Sequence, residues 1–537
     1  MKITLKFLFI SIIFLILFFT SGCSPEKGEP GNTRLSTTMV TVTIPANPAD
    51  INPMIYGQMF EDCNDRVIYD GIVGLNGEPR PHVDELLKPL QIPIIRWPGG
   101  TFVHEYRWER GIGPAEKRPV VDVQCWGGIE NHRFGTDEFL QWCDRMKVEP
   151  YINFNMANNP DIGGTVQEAL NWIEYTNGAA DTPYGKKRAQ NGHGEPYGVK
   201  YWCIGNENWG GFGINKKETG EEYALRLKEW ASVIHEKHPD LQLLAVGHTY
   251  DWDRSVLEHN LPFIDILTQH YYVHTPVRND SIVNAANSLF APAKMEAHLA
   301  HLGTLLSEYN ERPERVGRPI TLSIDEWNNR HQLFDGEKFT FTRNDLRRQF
   351  DVTVTAGMLN VFIRQSPHVS MGNYIFPVNG HGLIRTVGDN DAFLTPTYYL
   401  FQLYRELMTG KRLDIQIEGP GVSTASLDFS IQGDASEMKL DAQTLPFIDG
   451  AAVLAEDGSL NLAFANRSHN TPQEIKLAVP NGYKAVRKWE INSPDINAFN
   501  DPANRDRILP REDTLTKKTV NFNIPPCGWM LIQLKAE

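Results

Sequence analysis

The sequence predicts an α/β fold: a (β/α)8 TIM barrel followed by a C-terminal antiparallel β-sandwich of jelly-roll type. Three observations predict it. Apolar runs recur eight times, at residues 54–60, 92–97, 151–155, 199–204, 243–246, 263–268, 320–324 and 369–378. Several are almost unbroken, as parallel strands buried on both faces must be. Helical stretches alternate with them, and eight such alternations argue for a closed barrel. Beyond residue 410 the texture changes to short alternating runs separated by Pro, Gly and Asn, which is the pattern of a sandwich. A doubly wound open sheet is the alternative, but no G-x-G-x-x-G or P-loop motif supports it.

The elements follow in order. Residues 1–22 read as a signal peptide: Lys2 and Lys6 make a basic start, and the apolar run 7–19 is too short to span a bilayer. Thr20-Ser21-Gly22-Cys23 resembles a bacterial lipoprotein signal, with cleavage before Cys23 and lipid on its sulfur. Thr20 stands where Leu would strengthen that pattern, so a plain secretory peptide is the alternative. The expected location is the bacterial cell envelope, facing the periplasm or the outer surface. Residues 23–37 read as the lipid-anchored tether. Residues 38–50 open with a β-branched strand expected to join the sandwich. The barrel is assigned to 51–410.

Within it, Thr165-x-x-Glu168 and Thr219-x-x-Glu222 are capping boxes that open helices, and Gly178 closes the first. Leu225, Leu227, Trp230, Ala231 and Ile234 give the second an apolar side. Asn344 is expected to cap a third, containing Leu346 and Phe350. Residues 394–409 form the last helix. The sandwich is assigned to 411–537, with a hairpin turn at Glu456-Asp457-Gly458-Ser459.

Composition narrows the function. The 537 residues are 41% hydrophobic, as a folded core requires. A formal net charge of -14 argues against a nucleic-acid binder and is compatible with a neutral glycan. Setting Cys23 aside, five cysteines remain, an odd number without a C-x-x-C pair, so neither a disulfide scaffold nor a zinc site is indicated. Cys143 and Cys203 sit among apolar neighbours and read as small buried hydrophobes.

The chemistry lies in two short motifs. Gly205-Asn206-Glu207 and Asp325-Glu326-Trp327-Asn328 each follow an apolar run, so each Glu comes at the C-terminal end of a buried strand. That rim is where barrel enzymes gather their catalytic side chains. Two carboxylates facing one another there are the minimal apparatus for cleaving a glycosidic bond. Asn206-Glu207 alone would be as consistent with a helix cap and an exposed acid; the pairing with Glu326 favours catalysis.

Residues 191–210, containing Tyr201-Trp202-Cys203-Ile204-Gly205-Asn206-Glu207-Asn208-Trp209-Gly210, resemble the acid/base region of glycoside hydrolase family 51, the α-L-arabinofuranosidases. The Asp325-Glu326-Trp327-Asn328 segment resembles that family's nucleophile strand. Arg96-Trp97-Pro98-Gly99-Gly100 and Gly57-Gln58-Met59-Phe60-Glu61-Asp62 resemble its second and first barrel strands. The resemblance runs in order from about residue 51 to 410 and implies the following roles. Glu207 is the general acid and then the general base, which needs a pKa raised to about 6; Trp202 and Trp209 are expected to desolvate it. Asn206 hydrogen-bonds the sugar 2-hydroxyl. Glu326 is the nucleophile, kept ionised by donors such as Arg96. Asp325 is its rival, but strand neighbours face opposite sides, so only one points into the pocket, and the resemblance selects Glu326. Such a pair acts with retention, its carboxyl groups about 5–5.5 Å apart.

Glu61 resembles the glutamate that binds arabinose hydroxyls, and His270 and Tyr272 the pocket His and Tyr; a neutral His270 orients the nucleophile or binds sugar. His270 and His274 are four apart, but on strand and loop rather than helix, so a metal pair is not expected. Thr101 stands where the family has Asn, and Phe376 where it has Gln, which removes two amide contacts from the sugar pocket. Asn328-Asn329-Arg330 after Trp327 replaces a more aromatic pattern, so the neighbouring subsite is expected to differ.

The leading reading is a retaining, exo-acting α-L-arabinofuranosidase on plant cell-wall glycans such as arabinan or arabinoxylan. It needs no cofactor and no metal. Its partner is an arabinose-containing oligo- or polysaccharide, not a nucleic acid; it meets a membrane only through the lipid on Cys23, and a homo-oligomer is left open. One alternative keeps fold and mechanism on another sugar, as another furanosidase, a β-xylosidase or an endo-β-glucanase. Another is a non-catalytic glycan-binding lipoprotein, which predicts loss of a catalytic Glu; both are present.

Overall fold

A computed structural model describes residues 36–63, 65–515 and 520–537. The expected signal peptide, Cys23 and the tether up to residue 35 lie outside the described residues. Eight parallel strands close into the predicted barrel: β1 (Gly57–Met59), β2 (Ile94–Trp97), β3 (Glu149–Phe154), β4 (Tyr201–Ile204), β5 (Gln242–Val246), β6 (Ile266–Arg278), β7 (Thr321–Phe334) and β8 (Val369–Tyr374). Each pairs with the next, and β8 pairs back to β1, leaving no free edge. Ile94, Tyr151, Cys203, Leu244, Ile266 and Met371, from six different strands, form one buried cluster that fills the barrel interior. Cys203 is the small hydrophobe expected there. The alternate residues face outward onto the helices; Trp202 stacks on Phe154 at 4.8 Å.

Both capping boxes form. The Thr165 hydroxyl accepts from the Glu168 N–H, and the Thr219 hydroxyl from that of Glu222, at the starts of helices Val166–Asn177 and Gly220–Lys237. The third expected start is corrected. Asn344 does not cap a helix; the helix is Gln349–Arg364, and the Asp351 carboxylate accepts from the Arg348 N–H at 2.6 Å. Two tertiary ties override the local signal. Asp345 binds His331 at 2.6 Å, and Arg348 is held extended by a bridge to Phe499.

Strands β6 and β7 run well past the expected ends at 268 and 324. Above the rim they stay paired with each other, as Thr275 with His331, forming a tall ribbon beside the barrel mouth. β7 then turns back through Phe339–Thr342.

In the sandwich, Ser36–Thr43 inserts between Gly410–Glu418, antiparallel, and Gln473–Ala478, parallel. Strands Ile448–Leu454, Leu460–Asn466, Trp529–Ala536 and Tyr483–Ile491 continue the antiparallel order. Val40, Leu413, Leu462, Phe464, Ile475 and Ile532 lie in its core. The segment between Gly410–Glu418 and Ile448–Leu454 leaves the sandwich, and Ile431–Gly433 adds antiparallel to β6.

Helix Gln349–Arg364 is buried on nearly all sides because it is wedged between barrel and sandwich. Gln349 and Thr353 both donate to the Cys527 carbonyl, and Asn360 donates to Asp449 at 2.8 Å. Arg364 holds Glu296 through two bonds of 2.7 Å and the Gly450 carbonyl at 2.7 Å. Charge-assisted bonds of this kind contribute more than neutral ones. Arg364→Ala is therefore expected to destabilise the protein by about 3 kcal/mol, read as a shift in denaturant midpoint. An unchanged midpoint would show that the junction does not depend on it.

Candidate active site

The backbone after β4 aims Glu207. Gly205 has φ +103°, and a Cβ there would meet Asn208 Oδ1 at 2.4 Å. Glu207 itself sits in the left-handed region at φ 42°, a conformation costing a non-glycine residue about 1–3 kcal/mol. Fastenings hold the turn. Asn208 Oδ1 accepts from the Asn206 N–H at 3.1 Å, Asn208 Nδ2 donates to Glu218 at 2.8 Å, and Arg226 pins Glu218 at 2.7 Å.

β7 aims Glu326. Strand alternation predicts that only one of Asp325 and Glu326 points into the pocket, and Glu326 is the one that lines it. The register of β7 shifts against β8 between Ile324 and Trp327, and β6 shifts against β7 between Thr268 and His270. Such an irregularity breaks the two-residue period. Both carboxylates consequently join the same interior network. Glu326 opens to the pocket, whereas Asp325 lies fully buried beneath it, receiving the Tyr151 hydroxyl at 2.8 Å. Trp327 faces away, packed on Phe362 and Tyr374 with centroids 5.0 Å apart.

Two cations organise the acids. Arg96, buried at the end of β2, donates to Glu326 Oε1 at 2.8 Å and to Asn206 Oδ1 at 2.6 Å, and its Nε lies 3.3 Å from Asp325. Tyr272 on β6 donates its hydroxyl to Glu326 Oε2. His270 stands between the acids, with Nδ1 at 2.8 Å from Glu207 Oε1 and 3.5 Å from Glu326 Oε2, and Nε2 at 3.2 Å from Asp325.

These contacts set the charges. Burial opposes ionisation of Glu326, but His270 and Arg96, with the Tyr272 bond, outweigh it and hold its pKa down at about 2. Burial pushes Glu207 up, and the Glu326 charge pushes it further; His270 only partly offsets them. Burial works against a charged His270, but Glu326, Asp325 and Glu207 together raise it well above its ordinary value. His270 is thus an imidazolium, not the neutral ring expected. Ligand atoms of Glu207, His270 and Glu326 all lie within 4.8 Å of one another. A cation would accept that spacing, but Arg96 and the imidazolium already supply the positive charge.

A cavity of about 890 Å³ opens above the pair, lined by Glu61, Thr101, Glu207, Tyr272, Glu326 and Phe376 among others. Of the expected site residues, these six therefore face it directly. Arg96, Asn206 and His270 lie just beneath, as the contacts above describe. Glu61 Oε1 accepts from the N–H groups of Gly100 and Phe102 and from Trp126 Nε1 at 3.0–3.1 Å. Burial, then repulsion from Glu326, raises its pKa. The backbone of Gly99-Gly100 closes one wall: a Cβ at Gly100 would meet Glu326 Oε1 at 2.4 Å. Trp209 lines the cavity, but Trp202 does not, since its strand position turns it outward to the helices.

Several contributors have no local signature. Asp434 accepts from the His270 N–H at 2.7 Å and binds His248 Nδ1 at 2.6 Å. His248 stacks on Trp209 with centroids 4.2 Å apart. Trp126, Arg330, Arg343 and Gln432 also line the cavity. Arg330 belongs to the Asn328-Asn329-Arg330 stretch expected to alter the neighbouring subsite, and the turn residues around Glu207 adjoin its motif; the others come from distant segments.

Comparison with known proteins agrees with this geometry. Residues 86–287 match the family profile "Alpha-L-arabinofuranosidase 1 domain" and residues 325–527 the "Alpha-L-arabinofuranosidase C-terminal domain". The chain is similar to a probable α-L-arabinofuranosidase C of Aspergillus clavatus, 32% identical over 490 residues, covering 86% of this chain and 91% of that one. It is also similar to an intracellular exo-α-(1→5)-L-arabinofuranosidase 1 of Bacillus subtilis, 28% identical, covering 91% and 97%. Among solved structures, the family 51 α-L-arabinofuranosidase of Thermotoga petrophila superposes with a TM-score of 0.77 at 28% identity, covering 93% of this chain and 100% of that one.

These relatives correct the expected location. The Aspergillus clavatus relative is fungal and the Bacillus subtilis relative is named intracellular. A bacterial envelope lipoprotein finds no support in them. The fold, the paired carboxylates and the relatives converge: the chain belongs to the α-L-arabinofuranosidases of glycoside hydrolase family 51.

Proposed function

We propose that the enzyme is exo-acting and retaining, releasing terminal arabinofuranose from plant cell-wall glycans such as arabinan or arabinoxylan. One observation carries this reading: two carboxylates share a pocket within 4.8 Å, one held ionised and the other pushed toward protonation. Inverting enzymes leave about 6.5–9.5 Å between the pair to admit a water. In the first step a Glu326 oxygen bonds to the anomeric carbon as the glycosidic bond breaks, and the Glu207 proton passes to the departing oxygen. In the second, Glu207, now a carboxylate, takes a proton from water. The water oxygen bonds to the anomeric carbon and the ester to Glu326 breaks.

The surrounding residues support these roles. Arg96 fixes the Asn206 oxygen, and Asn206 Nδ2 has no partner among the described residues, which leaves that donor for the sugar 2-hydroxyl. Such a bond can strengthen as the transition state forms. Among the described residues Glu61 takes its donors from Gly100, Phe102 and Trp126 on Oε1, and it offers the other oxygen to sugar hydroxyls. Thr101 and Phe376 give the pocket a short hydroxyl and an apolar wall in place of two amides, shaping the fit around the arabinose ring.

Three outcomes test this. Proton NMR of the initial product should show retained anomeric configuration; inversion would overturn the mechanism. Glu207→Ala should lower kcat by about 10²–10⁴-fold on substrates with poor leaving groups, and much less on an activated aryl arabinofuranoside. Equal losses on both would remove Glu207 from the acid role.

The third is the pH profile of kcat/KM. Glu207 must be protonated, so activity falls as pH rises through its raised pKa; Glu326 must be ionised, so activity persists until pH falls toward 2. The His270 charge lowers both groups. His270→Gln should therefore move both limbs to higher pH. Limbs that stay in place would show that the imidazolium does not set them.

A further inference from the structure

Arg330 is the one guanidinium in the pocket whose charge nothing visible answers. It projects from β7 four residues after Glu326, and it lines the same cavity as both acids. Its guanidinium carbon sits 3.1 Å over the Tyr272 ring and 5.0 Å from the Phe341 ring. Among the described residues no acceptor lies within hydrogen-bond or ion-pair reach of it. The other buried arginines nearby are all matched: Arg96 by Glu326, Arg347 by Asp351 and Arg348 by Asp345. Arg343, on the other side of Phe341 and over Trp126 at 4.3 Å, is matched by Asp65 at 2.9 Å. Glu207 and Glu326 feel the Arg330 charge, but they are committed to His270, Arg96 and Tyr272.

Arg330 is half-buried and faces the cavity, so its donors are open to a ligand that brings acceptors. The guanidinium has a planar fork of donors that matches a carboxylate in bidentate fashion, more closely than it matches scattered hydroxyls. Tyr272 beneath one face leaves the edge of the fork as the part that can bond. The chain as a whole carries a net charge of -14. The lining is itself acid-rich, with Glu61, Glu207, Glu218, Glu326 and Glu437, so an anion would be held here by the Arg330 fork and not by the overall field of the cavity.

Resting on the arabinofuranosidase reading above, we propose that Arg330 forms a subsite for the carboxylate of a hexuronic acid residue, and that the preferred substrate is an acidic glycan carrying arabinofuranose beside such a residue.

The test uses the full-length enzyme and three substrates: an aryl α-L-arabinofuranoside, a neutral arabinosylated oligosaccharide, and the same oligosaccharide with a hexuronic acid next to the arabinose-bearing residue. At low salt kcat/KM should be about tenfold or more higher for the acidic member of the pair, and the ratio should shrink with added salt, since such attraction is screened. In Arg330→Gln the ratio should fall to near one, while Arg330→Lys should keep part of it. Should the Gln variant fail to fold, the wild-type enzyme gives the answer alone. Free glucuronate should then inhibit aryl arabinofuranoside hydrolysis at least tenfold more strongly than glucose. A wild-type enzyme that ignores the uronate in both assays overturns the subsite, while turnover of the aryl arabinofuranoside in the same hands keeps the arabinofuranosidase reading intact. Loss of that turnover would instead strike the reading on which the subsite rests.

Discussion

Two largely buried carboxylates share one pocket, and charging both at such close quarters is costly. Everything else at the barrel mouth follows from how that conflict is settled. Arg96 touches Glu326 and not Glu207, Tyr272 adds a second donor to Glu326, and the His270 charge is shared. The asymmetry keeps the negative charge on Glu326 and leaves the proton on Glu207. Neither acid brings this about by itself; placing Arg96 between Glu326 and Asn206 accomplishes it.

The barrel makes that placement inexpensive. Arg96, Glu207, His270 and Glu326 come from β2, β4, β6 and β7, whose ends meet at one rim. The irregularity in β7 lets Asp325 and Glu326 act together, with Asp325 beneath anchoring Arg96, His270 and Tyr151. The chain beyond the barrel also takes part. Ile431–Gly433 adds to β6, and Asp434 just after it fixes the His270 backbone while holding His248 against Trp209. The excursion from the sandwich thus braces the imidazolium on which both acids depend.

Much of this was legible in the sequence, for identifiable reasons. Parallel strands buried on both faces leave unbroken apolar runs, so all eight could be located. Short polar motifs directly after such runs marked Glu207 and Glu326 because the barrel collects chemistry at that end. Capping boxes at Thr165 and Thr219 were local and held. What failed was decided at a distance. Asn344 lost its cap to ties from His331 and Phe499, which lie far along the chain or across a strand. Strand alternation kept Asp325 out of the pocket but could not show that it joins the network beneath Glu326, because a register shift depends on both neighbouring strands. Trp202 was placed near Glu207 by proximity in sequence, although its alternate position on β4 sends it to the outer layer. His270 looked neutral because its three carboxylate partners come from two other strands. Asp434 could not be assigned at all, since nothing adjacent to it in the chain reveals what it faces; Arg330 is legible only as part of a changed neighbouring subsite, without the rings it packs on.

The central claim is that the charge asymmetry makes Glu326, and neither Asp325 nor Glu207, the group that bonds to the sugar. Its most direct test is to trap the glycosyl-enzyme with a slowly turned-over, activated fluoro-arabinofuranoside and locate the adduct by peptide mass spectrometry. The account predicts a single sugar ester on Glu326. An adduct on Asp325 or Glu207, or steady turnover through no covalent species, would contradict it.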